Sequence, residues 1–474
     1  MQYGSSLRYS NRPAQSRRLI DFTATEWMLF AFAVFLLVGG TPFLVKDSSA
    51  LDTASGEGDP IRQVFYISIM LLSFIPVAKI GVFKVLRGVP LALLLLCLWC
   101  LVTVPFAVDP SASFRRWVLA IVLIVTIVNL LTSVGIVRTL VVVRAAITTL
   151  IIVSLITVPI LPGAVHGEFE GDQALVGAWK GAFVHKNHAS AVTALGLIMY
   201  AHEFWQNRKR WAAIMFVLGF IFLLGTKGKS ALGLALPSIV AGLAYAYCYK
   251  RRGGRALFMI VGACLVGLVL ISLTLLQDTV FRIFSDPTAF TGRVRIWGVV
   301  FDYARAHPLF GAGYASFWQI GDASPIFQVG SAEDWLLATA HSHNGYMEIL
   351  ATTGVIGLSL AVLAIVLVPL LRMLSAGNRY ANLTGLLFSL WLFGIFYNSM
   401  ETQILARDKQ VWFNILIVLC SVNLLHRDVL RLRRTHRSVG LNSSEHAERG
   451  SGAQLWAAHT SANGERSSPT PIGA

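Results

Sequence analysis

Apolar runs long enough to cross a membrane recur along the whole chain, at about 27–45, 62–83, 89–108, 117–134, 139–160, 187–204, 211–225, 230–249, 256–276, 345–371, 380–400 and 411–426. A crossing takes roughly 17 to 25 mostly apolar residues as a helix. Lipid offers no partner to a bare backbone group, so an apolar run that spans does so as a helix. The expected fold class is therefore all-α, a polytopic transmembrane helical protein with about 12 spans. Composition agrees. Of 474 residues, 55% are hydrophobic and only 13% charged, against roughly a quarter charged in soluble domains. A soluble core of this length could not bury so much apolar surface.

The net charge of +15 would fit nucleic acid if it formed one basic face. Instead the basic residues sit in short clusters between apolar runs, which excludes nucleic acid as a partner and fits cytoplasmic retention of Lys and Arg. With Arg8, Arg12, Arg17 and Arg18 inside, the inside loops carry Lys79, Lys84 and Arg87; Arg138; Arg208, Lys209 and Arg210; and Lys250, Arg251, Arg252 and Arg255. They continue with Arg372 and Arg379, then Arg427, Arg431, Arg433, Arg434 and Arg437. The first outside loop carries Asp47, Asp52, Glu57 and Asp59. This alternation orders the chain as a cytoplasmic basic tail (1–26), nine spans (27–276), a large outer loop (277–344), three spans (345–426) and a cytoplasmic tail (427–474). The last tail is rich in Ser, Gly and Ala past about 440 and is expected to be disordered. The polar, basic first 26 residues do not read as a cleaved signal peptide. All five cysteines lie inside apolar runs, so no disulfide framework is expected, and Cys97 and Cys100 read as buried thiols.

Four polar clusters fall on the outer side: His185-Lys186-Asn187-His188, Lys227-Gly-Lys229-Ser230, Thr291-Gly292-Arg293-Val-Arg295-Ile-Trp297, and His341-Ser-His343-Asn344-Gly345-Tyr346. The second resembles the end of a P-loop, but two residues separate Gly225 from Gly228 where four are needed, and no strand precedes it. Its lysines can hold an anion or meet lipid head groups. In the third, Thr291 is a candidate N-cap for an amphipathic helix over 293–306, with Ile296, Val299, Val300 and Tyr303 on one face. Arg293 then falls in the first turn, where free N–H groups favour an anion and a guanidinium adds a phosphate-matching fork; the alternative is a salt bridge within the loop. His307-Pro-Leu-Phe-Gly311-Ala-Gly313 ends this helix.

In the fourth cluster His343 can take a proton near neutral pH or serve only as an interfacial anchor. His341 and His343, two apart, cannot share one face of a helix. A metal site from His185, His188, His341 and His343 is the remaining alternative, although neither a cysteine nor a clear carboxylate completes it. No two aspartates are separated by a single residue, so there is no D-x-D signature for a nucleotide sugar.

On these clusters the chain resembles the O-antigen ligase and Wzy polysaccharide polymerase superfamily, most of all ExoQ-type exopolysaccharide polymerases. The resemblance rests on His185-Lys186-Asn187, Lys229-Ser230-Ala231, Thr291-Gly292-Arg293 with Trp297, Gly311-Ala-Gly313, and His343-Asn344-Gly-Tyr running on to Thr353-Gly354-Val-Ile-Gly357. It covers about residues 180 to 360. It implies a GT-C-like membrane glycosyltransferase that needs no metal or other cofactor. The implied donor is an undecaprenyl-diphosphate-linked glycan and the partners are a glycan acceptor, membrane lipids and other polysaccharide export proteins. His343 would be the base, Arg293 and Lys229 or Lys227 would bind the diphosphate, and His185, Lys186, Asn187, Asn344, Arg295 and His341 would support them. Where the family's ligases place an arginine this chain has Lys229, which keeps the charge and loses the fork. Two rival classes are a lipid-linked sugar transporter, which should carry its charges near the midplane, and a scaffold, which needs none of these clusters.

Overall fold

A computed structural model describes residues 22–40, 43, 60–168, 175–286, 293–328, 339–406 and 408–432. Residues 1–21 and 433–474 of the tails, 44–59 of the first outside loop and the Thr291 cap lie outside the described residues. The chain divides into two units, Met1–Asn423 and Leu424–Ala474. In the second, the described residues 424–432 are helical.

The apolar helices are α1 (Ala24–Val38), α2 (Pro60–Ile80), α3 (Leu91–Phe106), α4 (Pro110–Val134), α5 (Ile136–Thr157), α6 (Lys186–Asn207), α7 (Arg210–Gly225), α8 (Lys229–Cys248), α9 (Gly254–Leu275), α12 (Gly345–Leu374), α13 (Asn378–Tyr397) and α14 (Gln410–Leu432). Between α9 and α12 lie two shorter polar helices, α10 (Gln277–Ser285) and α11 (Arg293–Ala306). Each apolar run in the sequence has its helix. Eight of the helices are long and apolar enough to cross a membrane, α1, α3 and α7 are shorter, and α6, at 22 residues, is long enough but less apolar than the eight. The chain is a multi-pass, all-α membrane protein.

Helix ends follow local chemistry. Thr23 and Glu26 form a capping box that starts α1 three residues ahead of the apolar run, and Gly39, at φ 81°, ends it. Asp109 caps α4 through the N–H groups of Ser111 and Ala112. The sixth apolar run is the least hydrophobic because its helix, α6, is surrounded by protein: every residue from Ala189 to Tyr200 is buried. Arg144, unexpected in a span, is paired with Glu203 of α6. Helices α8 and α13 approach closely where Gly242 faces Gly385, and a Cβ on Gly385 would stand 2.6 Å from the Gly242 carbonyl oxygen. Such small-residue contacts let helices pack in lipid without a hydrophobic driving force. Helix α9 is the reverse case, with 0% of its apolar window buried.

The alternation of spans brings the loops after α1, α3, α5, α7, α9 and α13 to one end of the bundle. Hydrogen bonds join them there: Val184 N–H to the Val38 carbonyl at 3.4 Å, Asp109 N–H to Ser316 Oγ at 2.8 Å, and Gly345 N–H to the Asn398 carbonyl at 2.7 Å. The amphipathic reading of 293–306 holds. Ile296 and Val300 of α11 pack with Ala312, Phe317, Trp318, Ile326 and Ala351, flanked by Val299, Tyr303 and Met347. Part of the segment between α9 and α12 therefore packs around a core that it shares with the start of α12.

That core fixes the start of α12. Inside α12 the backbone breaks at Gly354, with φ 68° and ψ −171°. The loop after α11 satisfies the groups so exposed: Val355 N–H donates to the Pro308 carbonyl and Ala312 N–H to the Ala351 carbonyl, both at 2.8 Å. A Cβ on Gly354 would lie 2.1 Å from the Leu309 carbonyl oxygen, and one on Gly311 2.4 Å from that of Ala351. The Gly311-Ala-Gly313 and Thr353-Gly354 motifs are thus two sides of one contact.

Candidate active site

At the entry to α12, Asn344 caps the helix by accepting from the N–H groups of Tyr346 (3.0 Å) and Met347 (3.3 Å). The residues before it are clamped. Ser342 N–H donates to Glu348 Oε2 at 3.0 Å, and Trp297 of α11 donates its indole N–H to the Ser342 carbonyl at 3.0 Å. His343 adopts a left-handed φ of 52°, a strained conformation that persists where neighbours over-determine it. This turn brings His341 and His343 together, with ring centroids 4.1 Å apart, and lets His343 N–H donate to His341 Nδ1 at 3.3 Å. The helical spacing rule applied to these two residues does not hold, because the segment is a turn.

The residue that organises the site is Glu401, in the loop after α13. Its Oε1 accepts from Arg293 Nη2 at 2.8 Å and from Asn187 Nδ2 at 3.2 Å, and its Oε2 lies 3.2 Å from His343 Nδ1. Arg293 also donates to the Met400 carbonyl. One carboxylate thus holds a residue from each of the first, third and fourth clusters. The group is 9% exposed. Burial alone would raise the Glu401 pKa, but the hydrogen bond and charge of His343 and the charge of Arg293 hold it down to about 2. A carboxylate that stays ionised only accepts, so His343 Nδ1 carries the proton and, in the neutral ring, Nε2 keeps the lone pair. Burial and the nearby charge of Lys409 hold the His341 pKa well below 6.5.

The other expected residues are placed as follows. His185 is the N-cap of α6, its Nδ1 accepting from Asn187 N–H at 3.1 Å, and Lys186 N–H donates to His166 Nε2 at 3.1 Å. His185 has extended backbone at the start of α6, and its ring centroid lies 6.4 Å from that of His188. Among the described residues the group with metal-ligand spacing is His341, His343 and Glu401, which supplies the carboxylate that the four-histidine set lacked. Arg295 is exposed on α11. Lys227 is exposed and donates to the Val176 carbonyl at 2.9 Å, while Lys229 is exposed at the first position of α8. Among the described residues neither lysine is bonded to the Glu401 group. Their turn packs close by, since a Cβ on Gly228 would lie 2.3 Å from Ser190 Cβ, and Ser190 Oγ donates to the Asn187 carbonyl at 3.1 Å.

Sequence reasoning missed Glu401 and Lys409. Glu401 stands 58, 108 and 214 positions from His343, Arg293 and Asn187, and no local pattern spans such separations. The available signal was electrostatic: three basic or polar clusters at one boundary required an anion, and Glu401 is the acidic residue at the end of the neighbouring span.

Comparison with known proteins bears on part of this chain. Residues 212–362 match the Wzy_C family model, described as O-Antigen ligase. This match takes in the lysine turn, Arg293 and the His341–Asn344 turn, and leaves out Asn187 and Glu401. The Exopolysaccharide production protein ExoQ of Rhizobium meliloti (strain 1021) is 26% identical over 216 residues, covering 39% of this chain and 45% of the relative. The chain therefore spans about half the length of the curated relative it matches. Over these residues the chain is thus similar both to the O-antigen ligase model and to an ExoQ exopolysaccharide production protein.

Proposed function

We propose that this protein is a glycosyltransferase of the bacterial inner membrane, with both termini cytoplasmic and its site on the periplasmic face. It polymerises undecaprenyl-diphosphate-linked oligosaccharide repeats into exopolysaccharide or O-antigen. The observation that carries the reading is the Glu401 carboxylate, which joins a candidate base, His343, to a candidate anion holder, Arg293.

The chemistry follows from the atoms. With His343 Nδ1 turned to Glu401, Nε2 takes the proton of the acceptor hydroxyl as its oxygen attacks the anomeric carbon. The glycosidic bond forms while the bond from that carbon to the diphosphate oxygen breaks, and undecaprenyl diphosphate leaves as the anion. The hydroxyl needs a base because its pKa is far above neutrality, and the leaving group needs cations. Arg293 uses two N–H groups on Met400 and Glu401, which leaves N–H donors of its five for phosphate oxygens. Lys227 and Lys229, exposed at the adjoining turn, hold the outer part of the diphosphate or the head group beside it. With these cations in place the reaction needs no metal. A lipid-linked sugar transporter is less well supported, since these groups lie at helix ends and not within the spans.

The description of the matching family model favours one second reading: a ligase that moves finished chains onto lipid A-core. A deletion strain separates the two. Loss of a polymerase leaves single repeats on the carrier lipid and no long polymer. Long chains on the carrier beside a bare lipid A-core would replace the polymerase reading with the ligase.

A further inference from the structure

His341, His343 and Glu401 each offer one ligand atom, and these atoms all lie within 4.8 Å of one another. His343 Nδ1 and Glu401 Oε2 are 3.2 Å apart. Two ligands on a tetrahedral zinc, with bonds of about 2.0–2.2 Å, stand roughly 3.3 Å from each other. The spacing therefore suits a metal as well as it suits a shared proton. The other carboxylate oxygen is already held by Arg293 (2.8 Å) and Asn187 (3.2 Å), and this is the hydrogen-bonded support that metal-ligating carboxylates characteristically have. Both histidines are set by the clamped turn before α12, so little reorganisation is needed. Two imidazoles and one carboxylate select a borderline transition ion over magnesium or calcium, which take oxygen ligands.

We propose that this turn and Glu401 form an inhibitory zinc site: Zn²⁺ replaces the proton between His343 and Glu401, takes His341 as third ligand, and leaves its fourth position to water. Zinc takes the Nδ1 lone pair, the single ring proton moves by way of solvent to Nε2, and the Nε2–H so formed can no longer accept the proton of the acceptor hydroxyl. The inhibitory part rests on the reading of His343 as the base. The binding part does not.

The test uses purified full-length protein in detergent, titrated with Zn²⁺ alone against a chromophoric zinc indicator, with Mg²⁺ as control. Wild type should show one site that is lost or weakened at least tenfold in both His341→Ala and Glu401→Gln, while Asn187→Ala should weaken it by roughly tenfold to a hundredfold. Mg²⁺ should not compete. Glu401→Gln preserves shape, and elution as a single species shows that a lost site is not a lost fold. Equal zinc binding in wild type and both ligand variants would overturn the site and leave the base assignment untouched. Zinc binding at these ligands without inhibition of glycan transfer would keep the site and overturn His343 as the base.

Discussion

Replacing Glu401 by glutamine keeps the shape of the side chain and removes the charge on which three clusters converge. Holding this carboxyl at about 2 in place of the usual 4.5 corresponds to roughly 3 kcal/mol of favourable interaction, taking 1.36 kcal/mol per pKa unit. The group is 9% exposed, so solvent screening removes little of this. The sign is that of a depressed carboxyl. Its stabilisation is present above the unfolded value near 4.5 and is lost only as pH falls through about 2. Glu401 is therefore ionised throughout the working range, and the variant should act the same way at every pH there. Glutamine offers Arg293 no counter-charge, and its amide fits His343 only if it turns oxygen toward Nδ1. If the approximately 3 kcal/mol is felt mainly in the transition state, kcat falls by about a hundredfold, with KM rising less. The assay is transfer from a purified lipid-linked donor, with membrane insertion checked alongside. A Glu401→Gln rate within threefold of wild type would refute the argument that this carboxylate orients the base.

His343→Ala should abolish glycan transfer while the protein remains folded and inserted, and wild-type activity in that variant would sink the base assignment. Arg293→Lys should be severely impaired, since a point charge cannot serve Glu401, the Met400 carbonyl and a phosphate together; near-normal turnover would remove it from the site. Purified enzyme should retain its rate in EDTA, and clear inhibition would turn the His341–His343–Glu401 group into a catalytic metal site. Asp286→Cys and Asp322→Cys should react with a membrane-impermeant thiol reagent that has crossed any outer membrane, and labelling only after the inner membrane is broken would invert the topology. Gly354→Ala should destabilise the protein by about 2 kcal/mol or more, from the left-handed backbone and the Leu309 carbonyl 2.1 Å from the new Cβ; unchanged thermal unfolding in detergent would mean that the break in α12 relaxes.

The spans were legible because lipid turns apolar run length directly into helix length. Even α6, the least apolar, could be found, though its burial by neighbours had to come from the structure. Helix α11 was legible because Ile296, Val299, Val300 and Tyr303 repeat with helical period above a core. The turn at His341–Asn344 was not. Spacing rules assume regular backbone, and His343 sits at φ 52° under restraint from Trp297 and Glu348, neither close enough in sequence to read as part of a turn. The lysines illustrate the opposite limit. Their sequence pattern marked them out, yet Lys227 is bonded to the Val176 carbonyl and not to the Glu401 group.

On the proposed reading, the arrangement around Glu401 also explains how the base and the cations are held together before substrate arrives. Arg293 and Lys409 are two half-buried cations beside the histidine pair, and burying like charges without a partner costs several kcal/mol. Glu401 meets that cost at Arg293 and His343 directly. Lys409, half-buried, lies near enough for its charge to act on both His341 and Glu348. On the proposed reading, a diphosphate entering the site meets these two cations already held in place. The negative charge that develops on the departing diphosphate falls, on that reading, beside Arg293. The carboxylate keeps Arg293 and His343 in place, and on the proposed reading the resting protein is thereby preorganised for the leaving group.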